Sequence, residues 1–180
     1  MTGAPRIGPG GRREVGLPIW AFGRIAGRVT GTGPPNLFMT LGRHRGLFRG
    51  WLFFASRLMP GGKLPRRETE LVILRVAHLR ECPYEYDHHV HLGRRAGVTE
   101  QDLQRVLEGP EAAGWTPRER AILGAVDELH ATGDLADDAW AALRAQLDER
   151  LTIELLMLVG HYEMLATTIN TLRVVPDAQR

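Results

Sequence analysis

Apolar positions along this chain recur at spacings of three and four, and most such runs are bracketed by helix start and stop residues. Ala121, Ile122, Ala125, Val126 and Leu129 form one stripe, the periodicity of an amphipathic helix. Thr116-Pro117-Arg118-Glu119 opens it as a capping box with proline at the first helical position, and Gly133 ends it. Thr99 caps a short helix through Leu103, Val106 and Leu107, closed by Gly109-Pro110. Asp134 or Asp137 is expected to cap the next helix, with Trp140, Leu143 and Leu147 inward. Thr152 is expected to cap a last helix reaching about Leu172.

The earlier half follows the same pattern less cleanly. Leu71 to Leu79 is almost continuously apolar, and its Val and Ile residues also suit a buried strand. Pro65 in the first turn, with Glu68 and Glu70 at the positive end of the macrodipole, favours helix. Cys82-Pro83 is the next boundary, because the residue before proline is pushed out of the α region. Cys82 is then an N-cap, Pro83 the first helical residue, and Gly97 the stop after about Ala96. Upstream, Leu47, Phe48, Trp51, Leu52, Phe53, Phe54 and Leu58 make an apolar cluster too broad for one surface stripe. It lies under the rest of the domain or packs on another subunit, and Pro60-Gly61-Gly62 ends it. Asn36 is expected to cap a helix through Leu41 after the break at Gly31 to Pro35. Leu17 to Thr30 is a weaker helix, interrupted by Gly23 and Gly27. Residues 1–16, rich in Gly, Pro and Arg, are expected to be a disordered or loosely docked arm. The expected fold is therefore all-α, a single helical domain over residues 17–180 preceded by that arm. It has no convincing strand and no Gly-rich phosphate loop.

Composition narrows the partners. Of 180 residues 43% are hydrophobic and 24% charged, with a net charge of +2, as in ordinary globular domains. The basic residues are interspersed with acids, so no nucleic-acid-binding stripe is present. Arg12-Arg13 invites comparison with an export signal, but Leu17 to Ile25 is short and broken by Arg24, with no clear cleavage site. We expect a cytoplasmic protein with no membrane span. The single cysteine excludes an internal disulfide.

Candidate chemistry is concentrated between Glu70 and His89. With Cys82 as cap, Cys82, Glu85 and His89 line one side of a helix from its N-terminus. A thiol there is favoured as thiolate, and a histidine beside a carboxylate holds or relays a proton near neutral pH. Glu70 joins them if the two helices pack antiparallel. Plainer readings exist for the same residues. Glu85 can reach back to the cap amide as capping-box glutamates do, and Cys82 can be a small buried hydrophobe. His88 and His89 must point in different directions. Glu85 and His89 supply only two ligands, so no metal is expected. His78, on the apolar helix, reads as a core or interface histidine.

Glu70, Cys82, Glu85 and His89, followed by Leu92-Gly93-Arg94-Arg95-Ala96-Gly97, resemble the carboxymuconolactone decarboxylase and alkylhydroperoxidase D superfamily. The similarity runs from about Asn36 to Val175 and takes in Asp127-Glu128-Leu129-His130 and Gly160-His161-Tyr162-Glu163. It implies a helical bundle, assembly as dimer, trimer or hexamer, and a small-molecule substrate with no cofactor. In the peroxidase branch Cys82 matches the first cysteine of a CxxC pair, and Glu85 stands where the second would be. The usual dithiol cycle therefore cannot run. Tyr84-Glu85-Tyr86 with His89 instead resembles members that lack the pair. The resemblance implies a cofactor-independent acid-base enzyme, decarboxylating or tautomerising a carbonyl, lactone or carboxylate compound. Glu70, Cys82, Glu85 and His89 would be its catalytic residues, and Tyr84 and His161 would line the substrate. The alternatives are a single-cysteine peroxidase using Cys82 and a ligand-binding protein without catalysis.

Overall fold

The computed structural model describes residues 4–30 and 33–177. Those residues form ten α-helices and no strand: α1 Arg12–Val15, α2 Leu17–Thr30, α3 Asn36–Leu41, α4 Arg45–Leu58, α5 Arg66–Leu79, α6 Pro83–Arg95, α7 Glu100–Glu108, α8 Pro117–Thr132, α9 Asp137–Arg144 and α10 Glu149–Leu172. The chain divides into two compact units, Arg57–Thr167 and Met1–Ser56 with Thr168–Arg180.

In the Arg57–Thr167 unit, α5 is the central helix. Every residue from Thr69 to Ala77 is buried, which explains why the run carries no polar stripe. Helices α6, α7 and α8 pack against it. Leu71 and Leu74 meet Val98, Leu103, Val106, Trp115 and Leu123 in one cluster. The polar residues of α5 are consumed by specific partners. Arg75 donates to both carboxylate oxygens of Asp127 on α8 at 2.7 Å and to the Val106 carbonyl of α7 at 2.6 Å. Arg67 bonds Asp102 at 2.8 Å and Glu119 at 2.9 Å. Those two acids are the third residues of the capping boxes begun by Thr99 and Thr116, so one guanidinium ties together the starts of α7 and α8.

Replacing Arg75 with alanine strands Asp127 and uncaps the end of α7. We expect a loss of about 3 kcal/mol in urea unfolding, the lower part of the range for breaking a buried ion pair because Asp127 is partly exposed. A loss below about 1 kcal/mol would show the bridge to be dispensable.

Several boundaries differ from expectation. Ala136 rather than an aspartate is the N-cap of α9, and Asp137 is its first residue. Trp140 on that helix faces solvent, while Leu143 and Leu147 are buried. Helix α10 starts before Thr152, where the Asp148 carboxylate accepts the Leu151 amide. His78 is exposed, which removes the core reading and leaves the interface one.

In the other unit, Val15, Ile19, Met39 and Phe48 form the core. Phe38 stands edge-on to both Phe48 and Trp51 at 5.8 Å. The aromatic cluster thus packs partly within its own chain, although Leu47 and Phe53 remain exposed. Within residues 4–16, Val15 is fully buried and the Gly10 amide donates to the Met39 carbonyl. Asn36 begins α3, with Pro35 as its cap; its side-chain amide donates to the Val175 and Pro176 carbonyls.

Candidate functional site

The turn between α5 and α6 sets the site. Arg80 ends α5, and the Glu81 amide donates to the His78 carbonyl while the Cys82 amide donates to that of Ala77. This is a Schellman closure, in which the residue after the cap adopts the left-handed conformation. Glu81 takes it at φ 47°, a position where glycine is the unstrained choice. Cys82 is thereby delivered as the N-cap of α6, with Pro83 as its first residue. A second Schellman closure ends α6 at Gly97, φ 87°, with the Val98 amide on the Gly93 carbonyl.

These turns lay α6 along α5 and bring His89 to Glu70, their atoms Nδ1 and Oε2 2.7 Å apart. Glu70 is wholly buried, and its other oxygen lies 2.6 Å from the Arg66 guanidinium one turn earlier. A carboxylate can only accept, so Nδ1 carries the proton and Nε2 of a neutral ring is left as the base. Across the dyad the Tyr162 ring of α10 stands edge-on to His89 at 5.3 Å and to His161 at 5.0 Å. The Tyr162 hydroxyl is 3.9 Å from the Met59 sulfur. Burial pushes the Tyr162 phenol well above its usual range. It also pushes His161 and His88 down to about 4, with the neighbouring His89 adding to the shift at His88. Both rings are therefore neutral at neutral pH.

Glu85 and Cys82 complete the cluster. The Glu85 side chain does not cap α6, since the Cys82 amide is engaged by Ala77. Glu85 is 3% exposed, and neither carboxyl oxygen has a hydrogen-bond partner among the described residues. Burial, then the negative charge of Glu163, pushes this carboxyl up to about 8, so it is an acid at neutral pH. Cys82 is 1% exposed. Burial pushes its thiol up to about 12, against the opposing hydrogen bond from the Glu85 amide. The thiolate expected at a helix N-terminus is thus disfavoured: desolvation outweighs the dipole.

Among the described residues no group of three His, Cys, Asp or Glu side chains is placed to hold a metal ion. A cleft of about 580 Å³ lies between α8 and α9, lined by Trp115, Ala121, Ala125, Glu128 and Ala142 among others; none of the candidate residues lines it.

The sequence profile of the carboxymuconolactone decarboxylase family matches residues 45–128, the stretch holding Glu70, Cys82, Glu85 and His89. That match spans just under half of the chain, which makes the chain similar to the carboxymuconolactone decarboxylase family. Three solved structures are similar to this chain. A protein of unknown function from Agrobacterium tumefaciens, assigned provisionally to antioxidant defence, is 25% identical over 73% of this chain and 91% of its own, with TM-score 0.69. An uncharacterised peroxidase-related protein from Ralstonia eutropha with an AhpD core is 19% identical over 98% and 94%, with TM-score 0.84. The debrominase Bmp8 is 16% identical over 96% and 92%, with TM-score 0.81. At their identities the last two speak to the fold alone. No curated protein matches the sequence significantly.

In this chain Glu70 and His89 touch directly, and Cys82 and Glu85 interact electrostatically at the start of α6. His161 reaches the group through Tyr162. Tyr84 is half-buried in the first turn of α6. The expected partnership of Glu85 with His89 is replaced by Glu70 with His89. Sequence reasoning missed Arg66, Tyr162 and Glu163 as members. Arg66 was detectable as the residue four before Glu70, and Tyr162 as the neighbour of His161; nothing local marks Glu163.

Proposed function

We propose that this protein is a cofactor-independent acid-base enzyme acting on a small carbonyl or lactone compound by tautomerisation or decarboxylation. Its enzymatic character is supported by the superfamily. The observation that carries the specific reading is the buried Glu85 carboxyl, which has no hydrogen-bond partner among the described residues and is pushed up to about 8, near the hydrogen-bonded His89–Glu70 dyad. In tautomerisation, Nε2 of His89 takes the proton from the carbon next to the carbonyl. The C–H electron pair moves toward the carbonyl oxygen, and the Glu85 proton neutralises that oxygen. In decarboxylation the pair released as carbon dioxide departs is protonated in the same way. Glu70 fixes the tautomer of His89 and stabilises its cation, and the Arg66 guanidinium holds the other Glu70 oxygen at 2.6 Å. Cys82 acts as a polar wall of the site.

The test is deuterium exchange at the carbon next to the carbonyl, followed by nuclear magnetic resonance. The panel comprises enolisable ketones, lactones and β-keto acids, with a brominated pyrrole added because a debrominase of this fold is known with 2,3,4-tribromopyrrole. His89→Ala and Glu85→Gln should each lower the rate by about 10²- to 10⁴-fold, the usual scale of general acid-base catalysis. Cys82→Ser should keep most of it. Full activity in Glu85→Gln, or turnover confined to organic hydroperoxides and lost in Cys82→Ser, would replace this reading with the peroxidase one.

A further inference from the structure

The unit formed by Met1–Ser56 with Thr168–Arg180 differs sharply in charge from the rest of the chain. It holds ten of the 23 basic residues, all of them arginine, and only two of the 21 acids, Glu14 and Asp177. The acids that balance the arginines of the whole chain therefore lie almost entirely in the other unit. Both acids of this unit are engaged within it. Glu14 accepts the Gly11 amide at 2.5 Å and lies 3.4 Å from Arg43, and Asp177 accepts the Asn36 amide at 2.7 Å. Helix α2 carries no acid. Ile19, Gly23 and Gly27 face inward on it, while Leu17, Phe22 and Ile25 are exposed, with Arg24 and Arg28 along the edge of the same arc. On α4, Leu47 is exposed and Arg45 and Arg49 are exposed beside it. Rings join the two helices. Phe22 stacks on Phe38 at 5.7 Å, Phe38 stands edge-on to Trp51 at 5.8 Å, and Trp51 lies one turn after Leu47. Ile25, Phe22, Phe38, Trp51 and Leu47 thus form one continuous apolar strip bordered by arginine, and its two ends are 60% and 65% exposed.

We propose that this strip docks the protein on an anionic lipid surface, its apolar side chains entering the headgroup region and its arginines resting on the lipid phosphates. Three features select that occupant. The arginine surplus of the unit complements an acidic bilayer and repels the same face of a second copy. The most exposed members of the strip, Ile25 and Leu47, are aliphatic. They gain by leaving water for the acyl boundary, whereas a nucleic acid offers them phosphates and flat bases on which they cannot stack. Arginine also suits a boundary of this kind, because its stem lies along apolar surface while its charged head stays at the level of the phosphates. Arg24 already lies that way over the Trp20 ring, 5.0 Å from its centroid. The attachment is peripheral: among the described residues no helix is long and apolar enough to cross a membrane. The strip belongs to a different unit from Glu70, Cys82, Glu85 and His89, so docking stands independently of the acid-base reading.

The test is flotation of the intact protein with unilamellar vesicles of phosphatidylglycerol and phosphatidylcholine in equal parts, and with vesicles of phosphatidylcholine alone. The protein should float with the acidic vesicles at about 0.1 M salt and stay behind with the neutral ones. Its partitioning should fall by at least about tenfold at about 1 M salt, where the Debye length shrinks from about 10 to about 3 Å. Arg24→Gln combined with Arg28→Gln should weaken partitioning by about tenfold or more, and the matching pair of lysine substitutions should retain most of it. Ile25→Ser combined with Leu47→Ser should also weaken it by about tenfold, a loss that a purely electrostatic contact would not show. Should the variants fail to fold, the parent decides: flotation confined to the acidic vesicles supports the proposal. No flotation with the acidic vesicles overturns it, as does equal flotation with both kinds or undiminished flotation of the Ile25/Leu47 variant. Tighter binding to a DNA duplex than to the acidic vesicles overturns it in favour of a nucleic acid. An oligomer that dissociates in the Ile25/Leu47 variant, while the parent ignores vesicles, overturns it in favour of a second copy.

Discussion

The Glu85→Gln protein is expected to be more stable than its parent at about pH 9 and roughly equal to it at about pH 4. Folding strengthens Glu85's hold on its proton, raising it from 4.5 to about 8. Between those values the unfolded chain has released a proton that the folded protein keeps, so stability falls as pH rises and levels off beyond about 8. Glutamine has nearly the same shape and no proton to lose. The difference between the two proteins should therefore grow across that window to on the order of 4 kcal/mol. The comparison matters because His88 and His161 act in the opposite sense. Folding lowers both from 6.5 to about 4, so their contribution is present above 6.5 and is lost as pH falls through about 4. The raw profile of the parent mixes both trends, and subtracting the variant leaves Glu85 alone. Urea unfolding at several pH values supplies the measurement. A constant difference would mean that Glu85 is ionised in the folded protein, and the assignment of the acid would collapse.

Alkylation of Cys82 in the folded protein should be at least about 1,000-fold slower than that of a free thiol near neutral pH. The attacking species is the thiolate, and burial pushes this thiol up to about 12. With 1% of the residue exposed, the reagent is also kept away. Denaturant should restore ordinary reactivity, which confirms that the fold is responsible. A peroxidase needs the opposite: a sulfur that is ionised and reachable at neutral pH, because oxidation to the sulfenic acid starts from the thiolate. A rate within about tenfold of a free thiol, with an inflection near neutrality, would reverse the ranking of the two enzymatic readings.

The all-α architecture was legible because helix boundaries are local chemistry. Thr99 and Thr116 with their third-position acids, Pro83 at the first position of α6, and Gly97 and Gly133 at the stops all act within a few residues. The expected caps at Asp137 and Thr152 missed because an acid in the first turn and a threonine bonded to the preceding turn satisfy the same backbone needs one turn away. Trp140 was misplaced for another reason: periodicity names the apolar positions of a helix but not how deeply each one sinks. The site divides along the same line. The spacing of Cys82, Glu85 and His89 follows from one helix and was visible in the chain. Their protonation was not, since it depends on what lies opposite. Whether Cys82 is a thiolate turns on desolvation against the helix dipole, and desolvation depends on how the helices pack. The pairing of His89 with Glu70 required knowing that α5 and α6 run back along each other. Glu163 lies 78 residues from Glu85 in sequence, and only the packing of α10 connects them.

The two closures that bracket α6 have a consequence for how this site can change. Each residue of a helix advances its direction by about 100°. Deleting one residue from the Arg80–Glu81 turn would rotate the whole of α6 by that amount and carry His89 away from Glu70, although every side chain would still be present. The catalytic constellation is thus a matter of phase. Length variation is tolerable where the chain leaves the helix pair, and at this turn it amounts to erasing the site.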